Sequence, residues 1–330
     1  MLARNTLVLS VIILLVGVST QARETIGSQE LGEEVDFPSG QLSLGGSLFL
    51  PAAGGPFAAV VAITGSGEYS YRSSWDEDGF GMWRAVTETL VEQGFAVLLV
   101  DKRGINRSGG AWNRNDLYGR AEDVLAAVRY LQARPEIDGN RIGLIGHSQG
   151  GWVGQIAAAS APNNVAFLIT LCGATVSVQE QILEDYETEW RCAGIPEARI
   201  ERKRAWSRFT LGAYGLLSRV LRIGFLGQII NFDPAETLRQ ITQPVMALFG
   251  ENDGLVYADR NRDLLLAAFA DSGHTQHVID ILVGAAHGLQ LAERCHPSVR
   301  PITFSPELFE SLRDPLFWEM VETHVSELPP

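Results

Sequence analysis

Apolar positions along this chain fall into two kinds of run. A continuous apolar stretch at 57–63 and largely apolar ones at 95–101, 165–171 and 244–249 have no polar face, which predicts strands buried on both sides of a sheet. Between them lie stretches with apolar residues at helical spacing: 82–92, 121–133 with Val124, Val128 and Leu131 on one side, 149–161 and 259–270. Two strand-like runs, 33–37 and 41–50, flank a Pro38-Ser39-Gly40 turn and predict an antiparallel start. A strand at 276–283 and an amphipathic helix at 306–325 close the chain. Strand and helix in this alternation predict βαβ units, so the fold class is α/β, a mostly parallel central sheet flanked by helices.

The rhythm breaks over 174–232, which is helical, aromatic (Trp190, Trp206, Phe209, Tyr214, Phe225) and charged at 199–204. We expect a helical cap here, inserted between a first core part at 23–173 and a second at 233–330. Residues 1–22 carry Arg4, an apolar run at 7–18 and Thr20-Gln21-Ala22, the marks of a secretory signal peptide. That run is short for a membrane span of about 20 residues, so cleavage is expected to leave an exported protein with no stable span.

Composition adds exclusions. With 46% hydrophobic and 20% charged residues, the 330-residue chain is globular and long enough for a full core. Its formal charge of −13 becomes −14 when Arg4 leaves with the leader (25 bases against 39 acids), which argues against nucleic acid or an anionic membrane surface as partner. Cys172 ends an apolar strand and reads as a small buried hydrophobe, leaving Cys192 and Cys295 as the candidate disulfide of an oxidising compartment. No cysteine or histidine spacing suggests a metal site.

The chemistry is concentrated in Gly146-His147-Ser148-Gln149-Gly150-Gly151. A strand at 141–145, preceded by an Asp138-Gly139-Asn140 turn, runs into this G-x-S-x-G and then into the alanine-rich helix. A serine hydroxyl is a poor nucleophile until a base can reach it, and a tight strand-to-helix turn holds it out for that purpose. The base needs an orienting acid in its turn. Functional groups in such sheets sit at the carboxyl ends of strands, which favours Asp253, with Glu251 as the alternative acid. Asp259 reads as a helix N-cap. Among six histidines, His147 belongs to the turn itself, His274 and His277 enter a strand from its amino end, His296 lies beyond the loop and His324 falls in the last helix. His287 follows the last predicted strand and is the expected base.

The order Ser148, Asp253, His287 resembles that of the α/β-hydrolase superfamily, over nearly the whole chain after the leader. Gly65-Ser66-Gly67, Asp101-Lys102-Arg103-Gly104, the serine turn and Gly250-Glu251-Asn252-Asp253 are together similar to exported bacterial esterases of the dienelactone-hydrolase-like and acyl-esterase branch. Two departures stand out. Dienelactone hydrolases carry cysteine where this chain has Ser148, and many relatives have histidine where it has Thr64. Asp101 and Arg103 read as structural charges pinning loops. The resemblance implies a serine hydrolase acting through an acyl-enzyme on a small ester with an apolar part, its oxyanion held by the backbone N–H groups of Gln149 and Ser66, with no cofactor. Peptidase, amidase or thioesterase activity on the same fold is the alternative, and a non-catalytic binding protein is the remaining one.

Overall fold

The computed structural model describes residues 32–52, 54–74, 81–221, 224–296 and 301–328. The expected leader at 1–22 lies outside the described residues. Eight strands build one sheet: β1 Glu33–Ser39, β2 Leu42–Phe49, β3 Phe57–Ile63, β4 Ala96–Val100, β5 Ile137–His147, β6 Leu168–Leu171, β7 Val245–Gly250 and β8 His277–Leu282. Their spatial order is β1-β2-β4-β3-β5-β6-β7-β8. β1 pairs antiparallel with β2, and β2 with β4; all later pairings are parallel.

The helices are α1 Met82–Glu92, α2 Leu117–Gln132, α3 Gln149–Ser160, α4 Val178–Cys192, α5 Glu197–Leu221, α6 Gly224–Ile229, α7 Ala235–Arg239, α8 Ala258–Ser272, α9 Pro306–Leu312 and α10 Pro315–Glu327. They cover both sheet faces, which is why β4, β6 and β7 are buried at every position. Successive side chains of a strand point to opposite faces. Ala59, Val61 and Ile63 of β3 therefore join one core with α2, α3 and α8, while Val60 and Ala62 join a second with α1, α9 and α10. Helices α4, α5 and α6 follow one another between β6 and β7, over the carboxyl edge of the sheet. Among the described residues no helix is long and apolar enough to cross a membrane.

Three local expectations are corrected. Asp138-Gly139-Asn140 is no turn before the strand: Phe57 of β3 faces Ile137 and Ala59 faces Ile142, so two residues of β3 span five of β5 and the surplus bulges within it. The helix expected at 306–325 is two helices, because Pro315 starts a new one and the Asp314 carboxylate caps it at the N–H of Leu316. Asp259 is not an N-cap but lies inside the first turn of α8, where it pairs with Arg262. One start also moves: α2 begins at Leu117, before the expected 121, because Asp116 caps it through the N–H of Gly119, and this brings Arg120 into the helix.

Cys192, at the end of α4, is bonded to Cys295 in the segment after His287, with Cα atoms 5.4 Å apart, and Cys172 is free and buried. The bond closes a sequence separation of 103 residues and ties the helices between β6 and β7 to the segment after β8. Titration of the denatured, unreduced chain should find one thiol, and reduction should lower the unfolding free energy in urea by about 2–4 kcal/mol. Three thiols, or an unchanged urea midpoint after reduction, would contradict the linkage.

Candidate active site

β5 ends at His147 and α3 starts at Gln149, so Ser148 alone makes the turn, at φ 55° and ψ −123°. A non-glycine residue rarely adopts that backbone, and the surroundings must impose it. They do so by close approach. A Cβ on Gly146 would stand 2.3 Å from the carbonyl oxygen of Gly150, one on Gly150 2.2 Å from that of Ile63, and one on Gly151 2.6 Å from Cα of Gly173. No side chain fits at any of the three, so β3, β5 and α3 meet at the serine through bare backbone.

Asp253 sits in the loop after β7, wholly buried. Its Oδ1 accepts the N–H groups of Leu255 at 2.8 Å and Val256 at 2.9 Å, and its Oδ2 lies 2.8 Å from Nδ1 of His287. Burial pushes the Asp253 carboxyl up, but the His287 charge, its hydrogen bond and the two backbone donors outweigh this and hold it below the ordinary range. At His287 burial works against the cation, and the Asp253 charge and hydrogen bond more than compensate, raising its pKa above 6.5. Glu251, the alternative acid, instead accepts the N–H of Gly284 at 2.8 Å from an exposed position.

Two neighbours of this pair escaped sequence reasoning. His147 Nε2 donates to the backbone carbonyl of His287 at 2.9 Å, with ring centroids 4.9 Å apart, so the middle residue of the elbow pins the loop that carries His287. Burial and the His287 charge push the His147 pKa down to about 4, keeping it neutral. Cys172, buried as expected, also directs its thiol at the Asp253 carboxylate, and burial and that anion hold its pKa well above the usual thiol value. Donor atoms of Cys172, Asp253 and His287 come within 4.8 Å of one another. Such a donor set suits a metal on paper, yet the Asp253 oxygens are already engaged by Leu255, Val256 and His287.

The segment from Thr64 to Gly67 faces the elbow: a Cβ on Gly65 would meet Cβ of Ser148 at 3.2 Å. Two cations hold its carbonyls from behind. Lys102 Nζ donates to Gly65 O at 3.0 Å and to Gly67 O, and Arg120 donates to Thr64 O at 2.8 Å and to the side-chain oxygen of Gln149. Burial, reinforced by Arg120, brings Lys102 down to about 7, and burial brings Arg120 down to about 10. Arg103 is paired with Asp123, and Asp101 accepts from Asn106 at 2.9 Å, so each pins a loop through its own partner.

Ser148, Gln149 and Ser66 share the wall of a cavity of about 190 Å³. Its apolar surface comes from Trp152, Val178, Ile182, Leu226 and Ile229, and Asp185 of α4 lies among them. Of the aromatics of 174–232, Trp206 and Phe209 are 57% and 66% exposed on α5, and Phe225 lines a neighbouring pocket with Thr64, Gly67 and Gln149.

The fold is that of the α/β-hydrolase superfamily. Residues 80–211 match the model of the prolyl oligopeptidase family. The chain is 30% identical over 149 residues to acyl-coenzyme A thioesterase 1 of Rattus norvegicus, a match that covers 43% of this chain and 30% of that protein. It thus spans under a third of that relative's length. It is 25% identical over 217 residues to esterase EstD of Thermotoga maritima, covering 64% of this chain and 50% of the other. A solved esterase of Pyrococcus furiosus superposes with a TM-score of 0.58 at 18% identity, over 89% of this chain and 91% of that one.

In an NMR titration of the imidazoles, His287 should protonate above the ordinary imidazole value and at a lower pH in Asp253→Asn, where only the Asp185 charge still opposes burial, while His147 stays neutral down to about pH 4. A His287 midpoint that does not respond to Asp253→Asn would contradict the pairing.

Proposed function

We propose that the protein hydrolyses carboxylic esters through an acyl-enzyme on Ser148. His287 takes the serine proton as the hydroxyl oxygen attacks the ester carbonyl, then returns it to the departing alkoxide. Water, deprotonated by the same imidazole, releases the acid. Asp253 keeps His287 in the tautomer with Nδ1 protonated and stabilises the imidazolium. The observation that carries this reading is the Asp253–His287 contact of 2.8 Å made by a fully buried carboxylate, together with a serine held in a strained strand-to-helix turn whose neighbour His147 bonds the His287 carbonyl.

The oxyanion falls to the N–H groups of Gln149 and Ser66. Gln149 opens α3, where N–H groups have no acceptor within the helix. Carbonyls on either side of Ser66 are held by Lys102, which fixes the peptide that would present its N–H. Residues 174–232 act as the cap, with α4 and α6 supplying apolar walls for the acyl or alcohol part of the substrate. Esterase EstD supports this choice of chemistry. The prolyl oligopeptidase match at 80–211 favours peptide or amide cleavage as the second reading.

A panel of p-nitrophenyl esters, acyl thioesters and aminoacyl anilides separates the two, with Ser148→Ala as control. Ester cleavage that is lost in Ser148→Ala, with fluorophosphonate labelling of Ser148, is the expected result; anilide cleavage without ester cleavage would reverse it. Lys102→Met, which frees the Gly65 and Gly67 carbonyls, should lower kcat by about 10²-fold with KM little changed. Unchanged turnover would remove the assigned donor at Ser66.

A further inference from the structure

The acidic residues of α4 that are at least half-buried are matched by arginines with one exception, and Glu189, also without an arginine partner among the described residues, is exposed. Glu180 pairs with Arg204, Arg208 and Arg260, Glu184 with Arg260, and Glu187 with Arg191 and Arg204. Asp185, on the same helix, has no lysine or arginine partner among the described residues. Among the described residues its Oδ1 accepts from the Gln181 side-chain amide alone, at 2.8 Å. Gln181 is itself held by the Leu255 carbonyl, so the carboxyl is oriented as well as unmatched.

This carboxyl lies on the wall of the cavity that also exposes Ser148, among Val178, Ile182, Leu226 and Ile229. It is close enough for its charge to act on His287 and Asp253. Burial pushes its pKa up to about 7, as expected for an acid facing apolar side chains without a counter-ion. A desolvated carboxylate gains most from a cation, because an amide offsets only part of what water supplied.

We propose that Asp185 is an anionic subsite, and that the preferred substrates are esters carrying an ammonium group a few bonds from the scissile carbonyl. This rests on the esterase reading above. The apolar walls take the methylene spacer, Ser148 meets the carbonyl, and the ammonium completes the ion pair that α4 leaves half-made. Asp185 is then a specificity-determining residue that takes no part in proton transfer.

An isosteric pair tests this at pH 7: 2-(dimethylamino)ethyl butyrate, protonated on nitrogen, and 3-methylbutyl butyrate, its neutral counterpart. The wild-type protein should favour the cationic ester by about tenfold or more in kcat/KM. Asp185→Asn keeps the volume and the Gln181 contact; it should bring the ratio close to one, and because the ratio is taken between two esters on the same variant, a change in His287 that affects both esters alike cancels. Asp185→Ser serves as a second variant, with the same expected ratio. A wild-type ratio at or below one, or a ratio unchanged in both variants, overturns the proposal. If the neutral ester is cleaved in a Ser148-dependent way at a ratio of one, the subsite falls and the esterase reading stands. If neither ester is cleaved, both fall.

Discussion

The structure depends on one close approach, the meeting of β3, β5 and α3 at Ser148 with no side chain between them. Gly146, Gly150 and Gly151 leave gaps that a single Cβ would overfill by more than half an ångström. Their absence of side chains lets the backbone turn within one residue, and the packed sheet then forces Ser148 to φ 55°. Strain of this kind costs on the order of 1–3 kcal/mol and persists only where the surroundings over-determine it. Here they consist of two parallel strands buried on both faces and a helix docked on them.

Around that turn the protein gives most of its buried charges a defined partner, with Asp185 left, among the described residues, to an amide alone. Asp253 is neutralised by His287 and two backbone N–H groups. Lys102 and Arg120 sit behind the segment from Thr64 to Gly67 and are satisfied by its carbonyls, so a buried cation orients the peptide bonds in front of it. Both cations are pushed down by burial, a cost that the fold meets for positional control of a loop otherwise free to adjust. His147 extends the same principle to the far side by holding the main chain of His287.

Much of this was legible in the sequence, for identifiable reasons. Continuous apolar runs report double-sided burial directly, so 57–63 could be placed as a central strand, and it is β3. The glycine spacing around Ser148 reports a steric demand that the backbone meets as expected. The Cys192–Cys295 pairing followed from reading Cys172 as a core residue, which it is. What escaped is what depends on tertiary contact. His147 occupies the unconstrained position of the motif, and no local pattern says that its ring reaches a carbonyl 140 residues away. The apolar spacing starts the helix at 121 and leaves out Arg120, whose place in α2 depends on the Asp116 cap, and Lys102 reads as one more charge in a glycine-rich loop. Which residues of 174–232 face the cavity also depends on tertiary contact. Trp206 and Phe209 are exposed, and aliphatic residues of α4 and α6 line the cavity.

The central claim is that the turn and the Asp253–His287 pair together make the Ser148 oxygen a nucleophile. Acid quenching of a millisecond reaction with p-nitrophenyl acetate, followed by peptide mass analysis, tests it most directly. The account predicts a burst of nitrophenolate with one acetyl group on the peptide containing Ser148, absent in His287→Ala. Steady turnover with no acyl group on that peptide, or an acetyl group elsewhere in the chain that is competent for turnover, would contradict it.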